Sequence, residues 1–272
     1  MASLSGPVTA CALGLLCALA PGPALTAPCG GDFNAWLEDF SKEAAAQGVS
    51  QGTLDAALTG LSPDPQVLAL DRNQNHTFNK TFEQFSSTRV TPYAVQRGQS
   101  LMNKNAALLA SIEAQYGVPG PILVAIWGLE TAFGADTGKM ASIRSLATLA
   151  QDCRRSEKFT DELMAALKIV DRGDLTPEEM RGAWAGEIGQ TQFLPSSYLR
   201  FAVDFDGNGR RDLIRSTPDV LASTANYLKA YGWQRGQPWT EGTANYEVLR
   251  EWNKSEVYSK TVAYFASRLS GG

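Results

Sequence analysis

The chain has 272 residues, 24 Lys plus Arg against 28 Asp plus Glu for a net charge of −4, with 44% hydrophobic and 19% charged residues. That balance excludes wholesale disorder and a generally basic nucleic-acid binder, and a chain of this length buries a full core without staples. The single histidine, His76, excludes a three-His zinc site and leaves one candidate for any Ser-His-Asp triad. Acid–base chemistry is therefore expected to run on carboxylates.

The first charged side chain is Asp32, and before it runs an apolar stretch at 8–20, too short to span a bilayer comfortably. Pro21-Gly22-Pro23 breaks this run and small residues follow to Ala27, so 1–27 is expected to be a cleavable signal peptide that sends the protein to the periplasm. The departure is an n-region without Lys or Arg; the competing reading is a short membrane anchor. Pro28 stands directly before Cys29, where a lipidation site needs a small residue, so lipidation is not expected. Cleavage leaves Cys29 and Cys153, which in an exported chain are expected to form a disulfide, with two free thiols as the alternative. Sequons at Asn75 and Asn79 matter only in a eukaryotic secretory pathway.

Apolar spacing predicts helices at 33–47 and 49–58, the second opened by Ser50. Prolines 63 and 65 mark a loop, and residues 89–92 another. One long helix is expected over 93–116, ended by Gly117, then a nearly continuous apolar helix over 121–133 stopped at Gly134. Helical period continues at 145–150 and 159–170. Thr176-Pro177-Glu178-Glu179 carries the signals of a helix start, and 216–231 reads as a capped helix closed by Gly232. Period-2 alternation is scarce and no internal repeat is present. The fold is expected to be mainly α (α+β) with few short strands.

Glu130 is the only ionisable side chain between Ile122 and Gly134. In helical period it shares a stripe with Ile122, Ile126 and Phe133, surroundings that disfavour a charged carboxylate and raise its pKa. An acid kept protonated near neutrality can donate to a glycosidic oxygen. From the pattern alone, a helix-end Glu that reaches solvent is the favoured reading.

Three segments carry a resemblance: Ala125-Ile126-Trp127-Gly128-Leu129-Glu130-Thr131-Ala132-Phe133-Gly134, Ser145-Leu146-Ala147-Thr148-Leu149-Ala150, and the run from Trp184 through Gly189-Gln190-Thr191-Gln192-Phe193-Leu194-Pro195 to Tyr198. With Asp204-Phe205-Asp206-Gly207-Asn208-Gly209, Ala225-Asn226-Tyr227 and Tyr246 to Tyr258, in this order, the chain resembles the lytic murein transglycosylase B family. The resemblance implies a lysozyme-like core that cleaves the β-1,4 bond between N-acetylmuramic acid and N-acetylglucosamine in peptidoglycan. Glu130 is then the catalytic acid and later base, assisted by the substrate's own acetamido group, and the product carries a 1,6-anhydro ring. Asp136 and Glu187 remain candidates for a second carboxylate. Gln192, Tyr227 and Asn253 fall at positions that the resemblance marks as contacting substrate or orienting the Glu, and Tyr198 belongs to the same motif. Ala183 stands where related sequences can carry Ser, which leaves the partner that orients Glu130 open. Trp127 and Trp184 are read as packing, and Pro195 as fixing a turn.

The implied organisation is a helical accessory region at 30–97, a lysozyme-like catalytic core at 98–240 and a C-terminal segment at 241–272 that completes the site. The expected partners are peptidoglycan glycan strands, not nucleic acid, met by a monomer. No cofactor is expected for the chemistry. Residues 204–219 match the first half of a calcium loop, with Asp204, Asp206 and Asn208 as candidate ligands. The distal Glu position holds Arg215, so Asp219 has to close the site in a longer, EF-hand-like loop; the competing reading is an Asx-rich turn satisfied by its own backbone. His76 is read as a surface residue. Two other functions stay open: a hydrolytic muramidase on the same fold, and a catalytically idle glycan-binding or calcium-binding scaffold.

Overall fold

The computed structural model describes residues 28–73 and 80–271. The expected signal peptide, His76 and both sequon asparagines lie outside the described residues. In chain order the elements are α1 (Phe33–Ala46), α2 (Gln51–Leu58), α3 (Pro65–Arg72), α4 (Phe82–Arg89), α5 (Pro92–Lys104), α6 (Ala106–Tyr116), α7 (Gly120–Thr131), β1 (Met140–Ala141), α8 (Ser142–Gln151), α9 (Ser156–Asp171), β2 (Arg181–Gly182), α10 (Pro195–Phe201), α11 (Thr217–Ala230), α12 (Ala244–Trp252) and α13 (Glu256–Leu269). The chain is mainly helical, as its scarce alternation predicts, and the two strands pair antiparallel with Met140 opposite Gly182 and Ala141 opposite Arg181.

Helix α7 is the hub because its sequence is apolar on every side, and such a helix must be covered on every side. Ile122, Leu123, Ala125 and Ile126 are fully buried, and α5, α6, α11 and α13 pack around them. No single helix among the described residues is long and apolar enough to cross a membrane. Helices α8 and α9 form a second layer that carries α1, α2, α3 and α10. Ser50 caps α2 while its backbone N–H donates to Asp171 at the end of α9 over 3.1 Å, tying the two elements together. A disulfide joins Cys29 to Cys153, clipping the segment before α1 to the α8–α9 connection. Beside it, buried Asp71 on α3 pairs with Arg154 at 2.8 Å and also with Arg155.

Four local expectations need correction. The predicted long helix over 93–116 is two helices, broken at Asn105, whose side chain donates back to the Leu101 carbonyl at 2.8 Å and competes with helix continuation. The position of the expected boundary, 97/98, falls inside α5, and the helix break before it lies at Val90–Thr91. Thr176 and Glu179 do make the reciprocal bonds of a capping box, at 3.3 and 2.9 Å. No helix follows, because Met180 accepts from Ser142 and the next two residues enter the sheet. Pro195 opens α10 rather than a free turn. Buried Glu162 on α9 caps that helix by accepting from the Ser196 N–H at 2.8 Å and its hydroxyl at 2.7 Å.

Beyond β2 the ribbon continues through single bridges from Gly182 to Ile188 and from Ile188 to Phe193. Gly182 is required by a close approach: a Cβ there would lie 1.6 Å from the Glu187 carbonyl oxygen. Gly182→Ala is therefore expected to cost about 3 kcal/mol through forced backbone displacement. In a thermal melt that corresponds to a fall in Tm of roughly 6–12 °C; an unchanged Tm would mean that the ribbon is not packed in this way.

Candidate functional site

Glu130 sits one residue before the end of α7, and the chain behind it turns sharply. Ala132, Phe133 and Gly134 follow one another with φ of 50°, 62° and 78°. The helix thus ends two residues earlier than the predicted 121–133. Two non-glycine residues in this region cost about 1–2 kcal/mol each, so the turn needs outside support. It comes from the ribbon: Thr131 Oγ1 donates to the Gln190 carbonyl at 2.5 Å and accepts from Gly134 N–H at 2.9 Å. Gln190 Oε1 accepts from Trp127 Nε1 at 2.8 Å, and its Nε2 donates to the Ile214 carbonyl at 2.8 Å. A Cβ at Gly134 would meet that same Gln190 Oε1 at 2.4 Å, so glycine is needed there for space as well as for conformation.

The strained turn sets Glu130 in the wall of a cleft of about 550 Å³, which Glu187, Gln192, Tyr227, Trp252 and Asn253 also line. Its Oε1 accepts from Tyr258 Oη at 2.6 Å and from Trp252 Nε1 at 3.1 Å. Burial pushes the Glu130 pKa up to about 7; the Tyr258 and Trp252 hydrogen bonds oppose the rise, and the nearby Glu187 carboxyl adds to it. Burial, reinforced by the Glu130 charge, holds the Tyr258 hydroxyl well above its usual range, so it stays a donor. Burial also raises Glu187, whose Oε2 is enclosed without a hydrogen-bond partner. An acid that titrates near neutrality, fixed by two neutral donors, can both give and take a proton at one place.

The structure brings together four of the residues expected at the site. Gln192, at φ 53°, donates through Nε2 to the Gly189 and Thr137 carbonyls at 2.8 and 3.1 Å. Its Oε1 has no hydrogen bond among the described residues, and the residue lines the cleft. Tyr227 donates to the Glu251 carbonyl at 2.9 Å and stands edge-on to Trp252 and Phe193, with ring centroids 4.9 and 6.0 Å away. Asn253 lines the cleft next to Trp252, its Oδ1 accepting from Ser255 N–H at 2.9 Å.

Tyr198 is different. It is fully buried and donates to the Arg211 carbonyl, so it braces the loop after α10 from inside the core and does not line the cleft. Asp136 is exposed and also lies off the cleft lining. Trp252 and Tyr258 were missed as the partners of Glu130. They lie 122 and 128 residues away from it, and the sequence signals were their place in the Tyr246 to Tyr258 segment and their closeness to Asn253. They answer the question that Ala183 left open. Trp127 is buried and packs edge-on against Phe133.

The acidic loop folds around its own backbone. Asp204 accepts from the N–H groups of Gly207, Asn208 and Gly209, and buried Asp219 accepts from those of Phe205, Asp206 and Asp212. Asp204, Asp206 and Asp219 nevertheless each present an oxygen within 4.8 Å of the others. Asn208 Oδ1 accepts from Arg210 N–H at 2.9 Å. Arg215, at the expected distal position, is engaged by Asp212 and Glu179, both at 2.7 Å.

The family model described as transglycosylase SLT domain matches residues 32–242. The chain is similar to the membrane-bound lytic murein transglycosylase B of Escherichia coli (strain K12), 35% identical over 219 residues, which cover 76% of this chain and 60% of that protein. It therefore spans less than two thirds of that relative's length. Its fold is similar to SltB3 from Pseudomonas aeruginosa in complex with NAG-NAM-pentapeptide, with a TM-score of 0.84 and 33% identity over 89% of this chain and 81% of that one. It is also similar to the Escherichia coli lytic transglycosylase Slt35 in complex with calcium, with a TM-score of 0.78 and 27% identity over 90% and 96% of the two chains.

The raised pKa makes Glu130 a liability for stability. The folded state holds the Glu130 proton more tightly than the unfolded chain, so the Glu130 contribution to stability is greatest below pH 4.5 and is lost as pH rises to about 7. The loss is on the order of 3 kcal/mol. Glu130→Gln keeps an acceptor for Tyr258 and Trp252 but cannot ionise. Thermal melts are expected to show the variant more stable than the parent on the alkaline side and similar on the acidic side; equal melts at both would contradict the buried acid.

Proposed function

Because the chain belongs to the transglycosylase SLT domain family, we propose that it is a peptidoglycan lytic transglycosylase with Glu130 as general acid and then base. The observation that carries the proposal is the Glu130 carboxyl, half-buried in the cleft wall with a pKa of about 7 and held by Tyr258 and Trp252. Protonated Glu130 donates to the oxygen between N-acetylmuramic acid and N-acetylglucosamine as the bond to the anomeric carbon breaks. The substrate's acetamido carbonyl covers the developing positive charge, one of the exceptions to catalysis by two carboxylates. Ionised Glu130 then takes the proton of the muramic acid 6-hydroxyl, whose oxygen bonds to the anomeric carbon. The proton lost from one oxygen equals the proton given to the other, and no water is consumed.

Gln192 and Asn253 supply amide groups for the sugar hydroxyl and acetamido groups, and Tyr227 with Trp252 supplies aromatic surface beside them. In this reading, helices up to Thr91 form the accessory region, the core runs from α5 to residue 240, and α12 and α13 complete the site. The Cys29–Cys153 disulfide supports an oxidising compartment, in keeping with export to the periplasm.

Calcium fits the acidic loop as a structural ion. Asp204, Asp206 and Asp219 would hold it together with Asn208, joining the loop to the start of α11 and adding nothing to the chemistry. At a hundred-fold excess over Kd the ion is expected to stabilise by about 3 kcal/mol, or roughly 5–10 °C in Tm. Asp219→Asn is expected to remove most of that gain. A melt unmoved by calcium would leave the loop as an Asx-rich turn.

The activity is tested by mass spectrometry of products released from purified peptidoglycan. Ends bearing 1,6-anhydromuramic acid are expected, and Glu130→Gln is expected to lower their rate by roughly 100- to 10,000-fold. Reducing muramic ends would identify a hydrolase, and binding without release would identify a scaffold.

A further inference from the structure

Of the glutamates lining the cleft, Glu130 carries the reaction above and Glu251 pairs with Lys254 at 2.5 Å, which leaves Glu187 without a task. It follows Gly186, at φ 90°, in the segment between β2 and the Ile188 bridge, and its backbone carbonyl lies against Gly182. The backbone N–H groups of Ala185 and of Glu187 itself bear on the carboxyl. Its Oε2 is shut off from solvent and has no hydrogen-bond partner. Exposed Lys158 at the cleft edge attracts it and buried Glu162 repels it, and among the described residues Lys158 forms no ion pair with it. A buried polar atom without a partner is costly, and scaffolds retain few of them. In the lining of a glycan cleft the missing partner has a natural source, since every sugar of the strand presents hydroxyl or acetamido N–H donors.

We propose that Glu187 is a substrate-binding residue whose carboxyl, on a side-chain rotation that opens Oε2 to the cleft, takes up a hydroxyl or acetamido N–H of the sugar seated beside Glu130. The assignment rests on the glycan-cleaving reading of the cleft. It gives the two carboxyls different duties. Glu130 already has two protein donors on Oε1 and is oriented before substrate arrives. Glu187 is held by its loop on one side and completed by the substrate on the other. A site built around an unpaired acceptor discriminates against a ligand that lacks the donor, because the acceptor then remains desolvated and unmatched.

The test compares Glu187→Met, which keeps length and volume but lacks the acceptor, with Glu187→Gln, which keeps one. Binding of soluble glycan strands prepared from peptidoglycan is measured by calorimetry in the Glu130→Gln background, where cleavage is slowed by roughly 100-fold or more; KM, kcat and Tm are measured with Glu130 intact. Glu187→Met is expected to weaken strand binding by roughly 10- to 100-fold, the range for a lost hydrogen bond to a charged group. Its loss is expected mainly in KM, with Tm unchanged or raised, and Glu187→Gln is expected to recover most of the affinity. Strand binding by Glu187→Met within about two-fold of the parent overturns the proposal. So does unchanged binding with only the pH profile of kcat displaced, which would make Glu187 an electrostatic neighbour of Glu130. A lower Tm in both variants overturns it as well, since that is the mark of a structural role. Failure of the reading beneath it looks different: the Glu130→Gln parent binds no strands and the unaltered protein releases no product, in which case both proposals fall.

Discussion

The pairing of one carboxyl with two aromatic donors governs this molecule. Glu130 is placed where burial favours its neutral form, and Tyr258 and Trp252 are placed where their hydrogen bonds favour its charged form. Neither influence alone leaves an acid that exchanges protons near neutrality: burial without donors drives the pKa higher, and donors without burial return it toward an ordinary carboxylate. Meeting both demands requires the middle of the chain to lie against its C-terminal helices. The fully apolar sequence of α7 provides the reason for that meeting, because α13 is one of the helices needed to cover it.

The same constraint explains why the site is costly and what supports it. The turn behind Glu130 holds two non-glycine residues in the left-handed region, and the cleft encloses two carboxyls with raised pKa values. Support comes from groups that touch no cleft surface. Gln190 bolts the turn to the ribbon, Tyr198 fastens the loop after α10, and Glu162 caps α10 itself. On the far side of the α8–α9 layer the disulfide and the Asp71–Arg154 ion pair secure the N-terminal helices. Asp71 is buried but Arg154 is half-exposed, so solvent screens part of this attraction.

Several elements could be read directly from residue order. Helices α1, α2 and α11 announce themselves by apolar spacing and a capping Asp32, Ser50 or Ser216, signals that act within one turn. Where tertiary partners compete, local signals mislead. The capping box at Thr176 closes one turn and stops, since β1 claims the following residues. Tyr198 looks like a site residue because it shares a motif with Gln192, which lines the cleft, yet it lies on α10 with its side chain in the core.

What residue order by itself determined is chemical type and local form: a carboxyl alone in an apolar helix, a mainly helical chain, a cysteine pair, an acidic loop, and motifs whose order carried the family resemblance. What only the tertiary structure decided is juxtaposition. It gave Glu130 its donors from Trp252 and Tyr258, removed Tyr198 from the cleft, divided the helix at Asn105, and set Glu187 into the cleft lining with one oxygen unmatched. The physical reason is range. Capping and periodicity act over three or four residues, whereas a pKa and a binding cleft depend on groups more than a hundred residues apart that burial of the shared core brings within 3 Å or so.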